Sequence, residues 1–179
     1  MHNEIIFAGF GGQGVILAGK ILSIASMMEG KYVSHIPSYG AEMRGGTANC
    51  SVVVSDEEVA SPVIEHPDIC IVLNTPSLHK FEPRLKKGGL LIYNSSLITE
   101  KPSRSDIDII AIDANGIAER HGASRGVNMA ALGVLVKKMP HLASLDSLQE
   151  ALDKAVSERN RKHNPLNMAI MTEAFNLPV

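Results

Sequence analysis

The sequence predicts an α/β fold in which helices cover both faces of a mostly parallel sheet, so that the domain has three layers. Short apolar runs typical of buried strands alternate with helical segments along the first two-thirds of the chain, and the last third is helical. The 179 residues, 45% of them apolar, suffice for one hydrophobic core but not comfortably for two. We therefore expect a single domain over residues 1–179.

The first third contains a strand, a helix and a second strand, with a glycine-rich first turn. Residues 4–8 (EIIFA) are short and apolar and are followed at once by glycines, which predicts a buried strand. Residues 15–29 are apolar nearly all round, as in a helix packed on a sheet, and Gly30 is expected to end it. Residues 32–36 predict the second strand. Such a β-α-β unit is the arrangement of a Rossmann-like domain.

A β-hairpin insertion is predicted within this sheet. Residues 47–54 (TANCSVVV) are rich in strand-forming side chains, and the polar residues SDEE separate them from Val59. Residues 68–73 and 89–93 predict strands covered on both faces, and residues 107–112 predict a further strand.

The helices of the remaining chain have recognisable start signals. Thr75 is expected to cap a helix that Pro83 makes short or kinked. Ser147 and Glu150 have the spacing of a capping box, and Asn164, which a proline follows, marks the start of the last helix. The helical segments of the last third are VNMAALGVLVKK, SLQEALDKAVSERN and PLNMAIMTEAF.

Composition excludes several classes of function. The formal net charge is −2 and aromatic residues make up 4% of the chain, so we expect no nucleic-acid partner. The longest apolar stretch, residues 15–28, contains Lys20 and is too short to span a bilayer. Glu4 and the glycines that follow occupy the place of the apolar core of a signal peptide. We expect a cytoplasmic protein with no membrane partner.

Metal and cluster chemistry has no support in the sequence. Cys50 and Cys70 stand alone in strand-like runs without a C-x-x-C motif, so we expect small buried side chains that cannot ligate an iron–sulfur cluster. The seven histidines lack the i, i+4 spacing of a zinc-binding helix. No metal is expected on this chain.

The stretch FAGFGGQGVILAGK poses the main functional question. Gly9, Gly11 and Gly14 match G-x-G-x-x-G between a strand and a helix, where free N–H groups and the helix dipole attract an anion. An NAD site would also need an acidic residue at the end of the second strand, and YVSHIPSYG has none. A P-loop is excluded because Ile21 replaces the Mg²⁺-binding Ser or Thr. A glycine turn that only packs the helix on the sheet remains an alternative.

Two side chains near these glycines indicate that the loop binds a ligand or a partner subunit and does not only pack the helix on the sheet. Gln13 is the one polar side chain of the loop GGQG, and we expect it to be free for hydrogen bonding. Arg44 lies within the glycine-bracketed stretch YGAEMRGG, where a close backbone approach would present its five N–H donors. A surface ion pair with Glu42 is the alternative for Arg44.

These motifs resemble those of one family. The segments GFGGQGVILAGKIL, PSYGAEMRGGTANCSVVVSDEEVASP and VNMAALGVL, in this order, are similar to the gamma subunits of 2-oxoacid:ferredoxin oxidoreductases, and the resemblance runs from residue 5 to about residue 175. YGAEMRGG is more similar to the 2-oxoglutarate and branched-chain members than to the pyruvate members. The resemblance implies a subunit, inactive alone, of an enzyme that oxidatively decarboxylates a 2-oxoacid, with 2-oxoglutarate favoured. That enzyme forms the acyl-CoA and passes electrons to ferredoxin.

The resemblance also implies partners and cofactors. The expected partners are the alpha, beta and ferredoxin-like delta subunits of the same complex, with ferredoxin as electron acceptor. Thiamine diphosphate, Mg²⁺ and iron–sulfur clusters are expected on those subunits and not on this chain alone, for which coenzyme A is the candidate ligand. A freestanding Rossmann-like nucleotide-binding protein is the alternative function.

The site is expected at the glycine loop. Gly11, Gly12 and Gly14 are expected to offer backbone donors to a coenzyme A phosphate or, in second place, to a carboxylate or carbonyl of a partner subunit. Arg44, beside Gly45, would add positive charge. The other residues expected there are Gln13, Tyr39 and Asn128, the last because RGVNMAALG resembles a third family segment and opens a helix.

Overall fold

A six-stranded sheet forms the centre of the computed structural model, which describes residues 1–40 and 46–179. Its strands are β1 (His2–Phe10), β2 (Tyr32–Tyr39), β3 (Thr47–Ser55), β4 (Ile69–Val72), β5 (Leu90–Asn94) and β6 (Asp108–Ile112). They lie in the order β2-β3-β1-β4-β5-β6. β3 runs antiparallel to its neighbours β1 and β2, whereas β4, β5 and β6 continue from β1 in parallel. The mostly parallel sheet predicted from the sequence is confirmed.

Helices cover both faces of this sheet. They are α1 (Val15–Met28), α2 (Thr75–Phe81), α3 (Ala114–Arg120), α4 (Val127–Lys138), α5 (Leu145–Ala155) and α6 (Asn164–Phe175), with 3-10 segments at Glu82–Arg84 and Glu158–His163. α1 and α3 to α6 pack on one face, and α2 with the first 3-10 segment packs on the other. The three-layer arrangement and the helical last third are confirmed.

The central strand β1 contributes to both layers of the core. Ile5 and Phe7 face the layer that contains α1, and Ile6 and Ala8 face α2. All four are buried. Because both faces of this strand are covered, its sequence is a continuous apolar run rather than an alternating one.

Glycines mark both ends of α1. Gly14 precedes the helix with a φ of 74° and Gly30 follows it with a φ of 82°, values in the left-handed region that other residues rarely adopt. The N–H of Gly30 donates to the carbonyl of Met27 at 3.0 Å. The predicted end of this helix at Gly30 is confirmed.

The hairpin differs from the prediction. β3 pairs antiparallel with β2, and Val59, the predicted partner, lies outside any strand and packs against the α2 side of the core. β3 also lies between β1 and β2, so the predicted β-α-β unit does not consist of adjacent strands. A strand's partner depends on the edges that the whole sheet leaves open, and the residues around a local turn do not determine it.

Two helix starts are shifted by one or a few residues. Asn74, and not Thr75, caps α2 by accepting from the N–H of Ser77 at 2.8 Å. Ser144, and not Ser147, caps α5 by accepting from the N–H of Ser147 at 3.1 Å. The 3-10 segment that contains Pro83 shortens α2 as predicted, whereas α3 was not predicted.

Candidate anion-binding site

The glycine loop, residues 11–14, lies at the carboxyl edge of the sheet. β1 ends at Phe10, the loop follows it, and α1 returns across β1, β2 and β3. The parallel strands β2, β4, β5 and β6 end at the same edge. Ligands of open α/β sheets bind at this edge.

The two glycine motifs of the sequence meet here. The N–H of Gly11 donates to the carbonyl of Gly46 at 2.8 Å, so the end of the second motif lies against the loop. Gly12 has a φ of 98°, with open space where a Cβ would lie. The loop therefore needs glycine for its backbone conformation at two positions, Gly12 and Gly14.

Gln13 is not free for a ligand, contrary to expectation. Its Oε1 accepts from the N–H of Phe10 at 2.6 Å, and its Nε2 donates to the carbonyl of Leu73 at 3.2 Å. The side chain thus joins the ends of β1 and β4 beneath the loop. Its amide groups stabilise the turn and leave ligand contacts to the backbone.

Asn128 lies beside the loop, as the sequence predicted. This side chain, on the first turn of α4, is almost completely buried and donates from Nδ2 to the carbonyl of Gly14 at 3.0 Å. A Cβ at Gly14 would collide with the same amide. Glycine is therefore required at position 14 for two reasons, the positive φ of its backbone and the close packing of the Asn128 side chain.

A cleft of about 530 Å³ opens next to Gly12, Gly14 and Asn128. Its volume is within the range of small-molecule sites. The first residues of α1, α4 and α6, or the residues just before them, all line this cleft. The other residues that the cleft exposes are Leu17, Gly122, Ala123, Ser124, Arg125, Gly126, Met129, Val156, Asn160, His163, Leu166 and Asn167.

The electrostatics of the cleft favour an anion. The first helical hydrogen bond of α1 runs from Ala18 N to Gly14 O, so the preceding N–H groups have no acceptor within the helix. None of α1, α4 and α6 has a side-chain cap or an acidic residue in its first turn. Arg125 and His163 are the basic residues among the described lining residues, which include no carboxylate. The helix dipoles and the Arg125 guanidinium thus act with the same sign.

The other expected residues have different outcomes. Tyr39 ends β2 at the same edge, but its side chain is 71% exposed and lies outside the cleft lining. Arg44 and Gly45 lie outside the described residues.

Sequence reasoning missed Arg125 and His163, which lie in the cleft together with Asn160 and Asn167. Arg125 had a usable signal, because it precedes Gly126 just as Arg44 precedes Gly45. His163 had none, since it reaches the cleft through the packing of α6 on α4.

The donor groups of the described residues do not fit the cofactors expected on the other subunits. Burial raises the pKa of the Cys50 thiol to about 12 and also raises that of Cys70, and both side chains are fully buried. Within residues 1–40 and 46–179, no group of three or more His, Cys, Asp or Glu is placed to hold a metal ion. A Mg²⁺ ion bound to a diphosphate is usually held by one or two carboxylates as well, and the described lining contains none. We derive no chemical step through either cofactor on this chain.

None of the described helices has the length and apolar character needed to cross a bilayer.

Comparison with known proteins identifies the family. The sequence model of the pyruvate ferredoxin/flavodoxin oxidoreductase family matches residues 4–177. The chain belongs to this family. One member of this family is the 2-oxoglutarate synthase subunit KorC of Methanothermobacter marburgensis. The chain is 34% identical to it, and the alignment covers 92% of the chain and 91% of that subunit.

Two further relatives show how this unit occurs in the oxidoreductase family. The chain is 40% identical to the ketoisovalerate oxidoreductase subunit VorA of M. marburgensis over 74% of its residues, but it spans only 28% of that protein's length. A solved keto/oxoacid ferredoxin oxidoreductase gamma subunit from Geobacter sulfurreducens superposes with a TM-score of 0.81 at 31% identity, covering 97% of the chain and 96% of the subunit. The same unit is thus a separate subunit in some relatives and part of a longer chain in others.

Proposed function

We propose that this chain is the gamma subunit of a multi-subunit 2-oxoacid:ferredoxin oxidoreductase, which converts a 2-oxoacid to its acyl-CoA and passes electrons to ferredoxin. The family match over residues 4–177 carries the proposal. The gamma subunit of G. sulfurreducens, covered almost from end to end, supports the assignment to a gamma subunit. 2-Oxoglutarate is the first candidate substrate, on the wording of YGAEMRGG and the similarity to KorC. A branched-chain oxoacid is the second, because of the 40% identity to VorA.

The chemical steps belong to partner subunits in this proposal. Thiamine diphosphate and the clusters are assigned here to the alpha, beta and ferredoxin-like delta subunits, as the resemblance to the family implies. The described residues of this chain, which include no group of three or more metal-binding side chains, are compatible with that assignment. The gamma subunit contributes to assembly and binds an anionic group in the cleft. An independent nucleotide-binding function has less support, because β3 lies between β1 and β2 where a dinucleotide fold has adjacent parallel strands.

The first candidate for the anion is a phosphate group of coenzyme A. The uncapped starts of α1 and α4 both contribute residues to the cleft, and Arg125 and His163 in the same lining can add side-chain donors. A phosphate oxygen can accept several such donors at once. A carboxylate of a partner subunit fits the same donors and is the second candidate.

Purification of the chain from its native cells under mild conditions tests membership of the complex. We expect thiamine-binding and iron–sulfur subunits to co-purify, identified by mass spectrometry, and the eluate to absorb as an iron–sulfur protein does. A colourless chain that elutes alone and gains thermal stability with NAD or a flavin would contradict the proposal.

Arg125→Ala in the assembled complex tests the ligand. We expect KM for coenzyme A to rise about tenfold, because a hydrogen bond to a charged group contributes about 1.5–3 kcal/mol, whereas KM for the oxoacid stays unchanged. Lys87→Ala removes one exposed positive charge from the opposite edge of the sheet and is the matched control. Arg44→Ala, assayed in the same way, tests the second glycine motif. An unchanged KM with loss of assembly would assign the cleft to a partner's carboxylate.

A further inference from the structure

β2 is an edge strand whose outer side meets no other strand of the described chain. It is eight residues long, and YVSHIPSY contains no Lys, Arg, Asp or Glu. Natural edge strands prevent pairing with another chain by charged side chains, prolines or short length, and of these β2 has only Pro37. Tyr32, Ile36 and Tyr39 are instead 49%, 43% and 71% exposed.

The pairing with β3 fixes which backbone groups face outward. Gly40 N donates to Thr47 O at 2.9 Å, in register with the β2–β3 ladder, so the even-numbered residues of β2 form the hydrogen-bonded pairs with β3. The odd-numbered residues lie in the alternate pairs and point their N–H and C=O groups away from β3. Val33, His35 and Tyr39 therefore offer an outward N–H and C=O each. Pro37 offers a C=O only, in the position where an edge strand tolerates proline.

We propose that β2 pairs antiparallel with β2 of a second copy of this chain, about a two-fold axis at Ile36, so that two sheets become one continuous sheet. The proposal rests on the edge geometry and is independent of the proposed function. Val33 then pairs with Tyr39 of the other copy, and His35 pairs with Pro37. This is the register in which the outward N–H groups of Val33, His35 and Tyr39 all meet carbonyls of the opposite strand.

If the two-fold axis shifts by one residue, some of the outward N–H groups of β2 no longer meet a carbonyl of the opposite strand. With the axis at His35, Tyr39 passes the end of the opposite strand. With the axis at Pro37, two residues without an N–H face each other, and Val33 passes the end instead. Because β2 contains no Lys, Arg, Asp or Glu, antiparallel self-pairing places no like charges opposite each other. At the Ile36 axis, two half-exposed isoleucines meet and are withdrawn from water.

Cross-linking through Ile36→Cys tests the register. Residues that face each other in the non-hydrogen-bonded pairs of antiparallel strands have Cα atoms about 4.5 Å apart, within the range of a disulfide. We expect the full-length variant to form a reducible covalent dimer with oxidised glutathione. Cys50 and Cys70 are buried and do not compete. Ser38→Cys lies on the same face of β2 but opposite Ser34 of the other copy, so it is the matched control and should stay monomeric on a denaturing gel.

Val33→Pro tests the hydrogen bonds. The substitution removes an outward N–H and leaves the ladder to β3 intact, as Pro37 already does, and the two-fold axis doubles the loss. We expect the dissociation constant of the dimer, measured by analytical ultracentrifugation, to rise about tenfold or more. Val33→Thr keeps the N–H and should dimerise as the unmodified chain does.

Three results would overturn the proposal. One is a monomeric chain that forms no disulfide through Ile36→Cys. Another is a dimer that cross-links equally well through Ser38→Cys or is unaffected by Val33→Pro. The third is a disulfide from Ile36→Cys to a different subunit in the purified complex, which would assign the edge to that subunit and leave the gamma-subunit assignment unaffected.

Discussion

The amino edge of the sheet and the cleft at its carboxyl edge differ in whether their charged groups have partners of opposite sign. At the amino edge, Lys86 Nζ lies 2.9 Å from Glu4 Oε2 and 2.8 Å from Asp68 Oδ1, so three charges satisfy one another. In the cleft, three helix N-termini and the Arg125 guanidinium have the same sign, His163 adds an imidazole, and the described lining offers no carboxylate.

The end of α1, at the amino edge, also has polar groups that bind one another. Glu29 accepts from Lys31 Nζ at 2.8 Å and from Ser144 N at 2.7 Å, which fixes the start of α5 against α1. The start of the same helix, in the cleft, has no side-chain cap. The comparison teaches that the groups at one edge satisfy one another, whereas the helix starts at the other edge have no side-chain caps, as the proposed anion site requires.

Gly14→Ala should have the largest effect, because it breaks the cleft at its centre. The left-handed backbone costs about 1–2 kcal/mol with a Cβ, and displacing the Asn128 amide costs about 1–3 kcal/mol more. We expect the free energy of unfolding in urea to fall by about 2–5 kcal/mol. Gly12→Ala is the control: its φ is also positive, but nothing lies within 4 Å of the added Cβ, so it should lose only the backbone contribution. Equal losses at the two positions would contradict the packing role of Asn128.

Acidification should act on the amino edge through Glu29. Burial disfavours its carboxylate, but the hydrogen bonds from Lys31 and Ser144 outweigh this and lower the pKa from 4.5 to about 2. Because the folded pKa is depressed, the stabilisation is complete above about pH 4.5 and is lost as the pH falls towards 2. Glu29→Gln should lower the free energy of unfolding at pH 7 by about 1–2 kcal/mol, because water screens the interactions of this exposed residue, and should flatten the pH dependence of unfolding between these limits. A variant that retains the full dependence would assign the acid sensitivity elsewhere.

Pyrophosphate should stabilise the chain through the cleft. At ten times its dissociation constant, a ligand of the folded state contributes about 1.4 kcal/mol, which a thermal melt detects as a rise in Tm. Arg125→Ala, if it weakens binding about tenfold, should reduce the contribution at the same concentration to about 0.4 kcal/mol and the rise to about a third, and Lys87→Ala should preserve the full rise. If both variants respond alike, the anion binds outside the cleft.

Lys86→Met should have the smallest effect. Its side chain is 43% exposed, so water and salt screen both ion pairs, and we expect a loss of about 1 kcal/mol or less. The difference from the unmodified chain should shrink further in 1 M NaCl, measured by urea unfolding. A loss that persists at high salt would show that the amino edge depends on packing by the lysine stem.

The features that follow from local chemistry were predictable from the sequence. Gly30 ends α1 and Asn164 begins α6 because a backbone angle and a proline act within a few residues. Ser144 and Ser147 are both suitable caps, and the choice between them depends on Glu29, which is distant in sequence and binds the N–H of Ser144. Such a choice requires the tertiary structure.

The rest of the site depends on helix packing that no local pattern encodes. Arg125 and His163 share the cleft because α4 and α6 approach closely, and a Cβ at Gly133 would collide with the backbone of Met171. Gln13 was wrongly expected to be free for the same reason, since its partner Leu73 follows β4 and is distant in the sequence.

The central position of β1 has a consequence for synthesis on the ribosome. Ile5 pairs with Val52 on one side and with Ile69 on the other, so this apolar strand is made long before either neighbour. At about 5–20 residues per second, a few seconds pass before β3 follows β1 out of the ribosome, and the other side of β1 stays open until β4 also emerges. We expect the nascent chain in that interval to expose an apolar strand that chaperones can bind, and the yield of folded protein to depend on the speed of translation through residues 47–72.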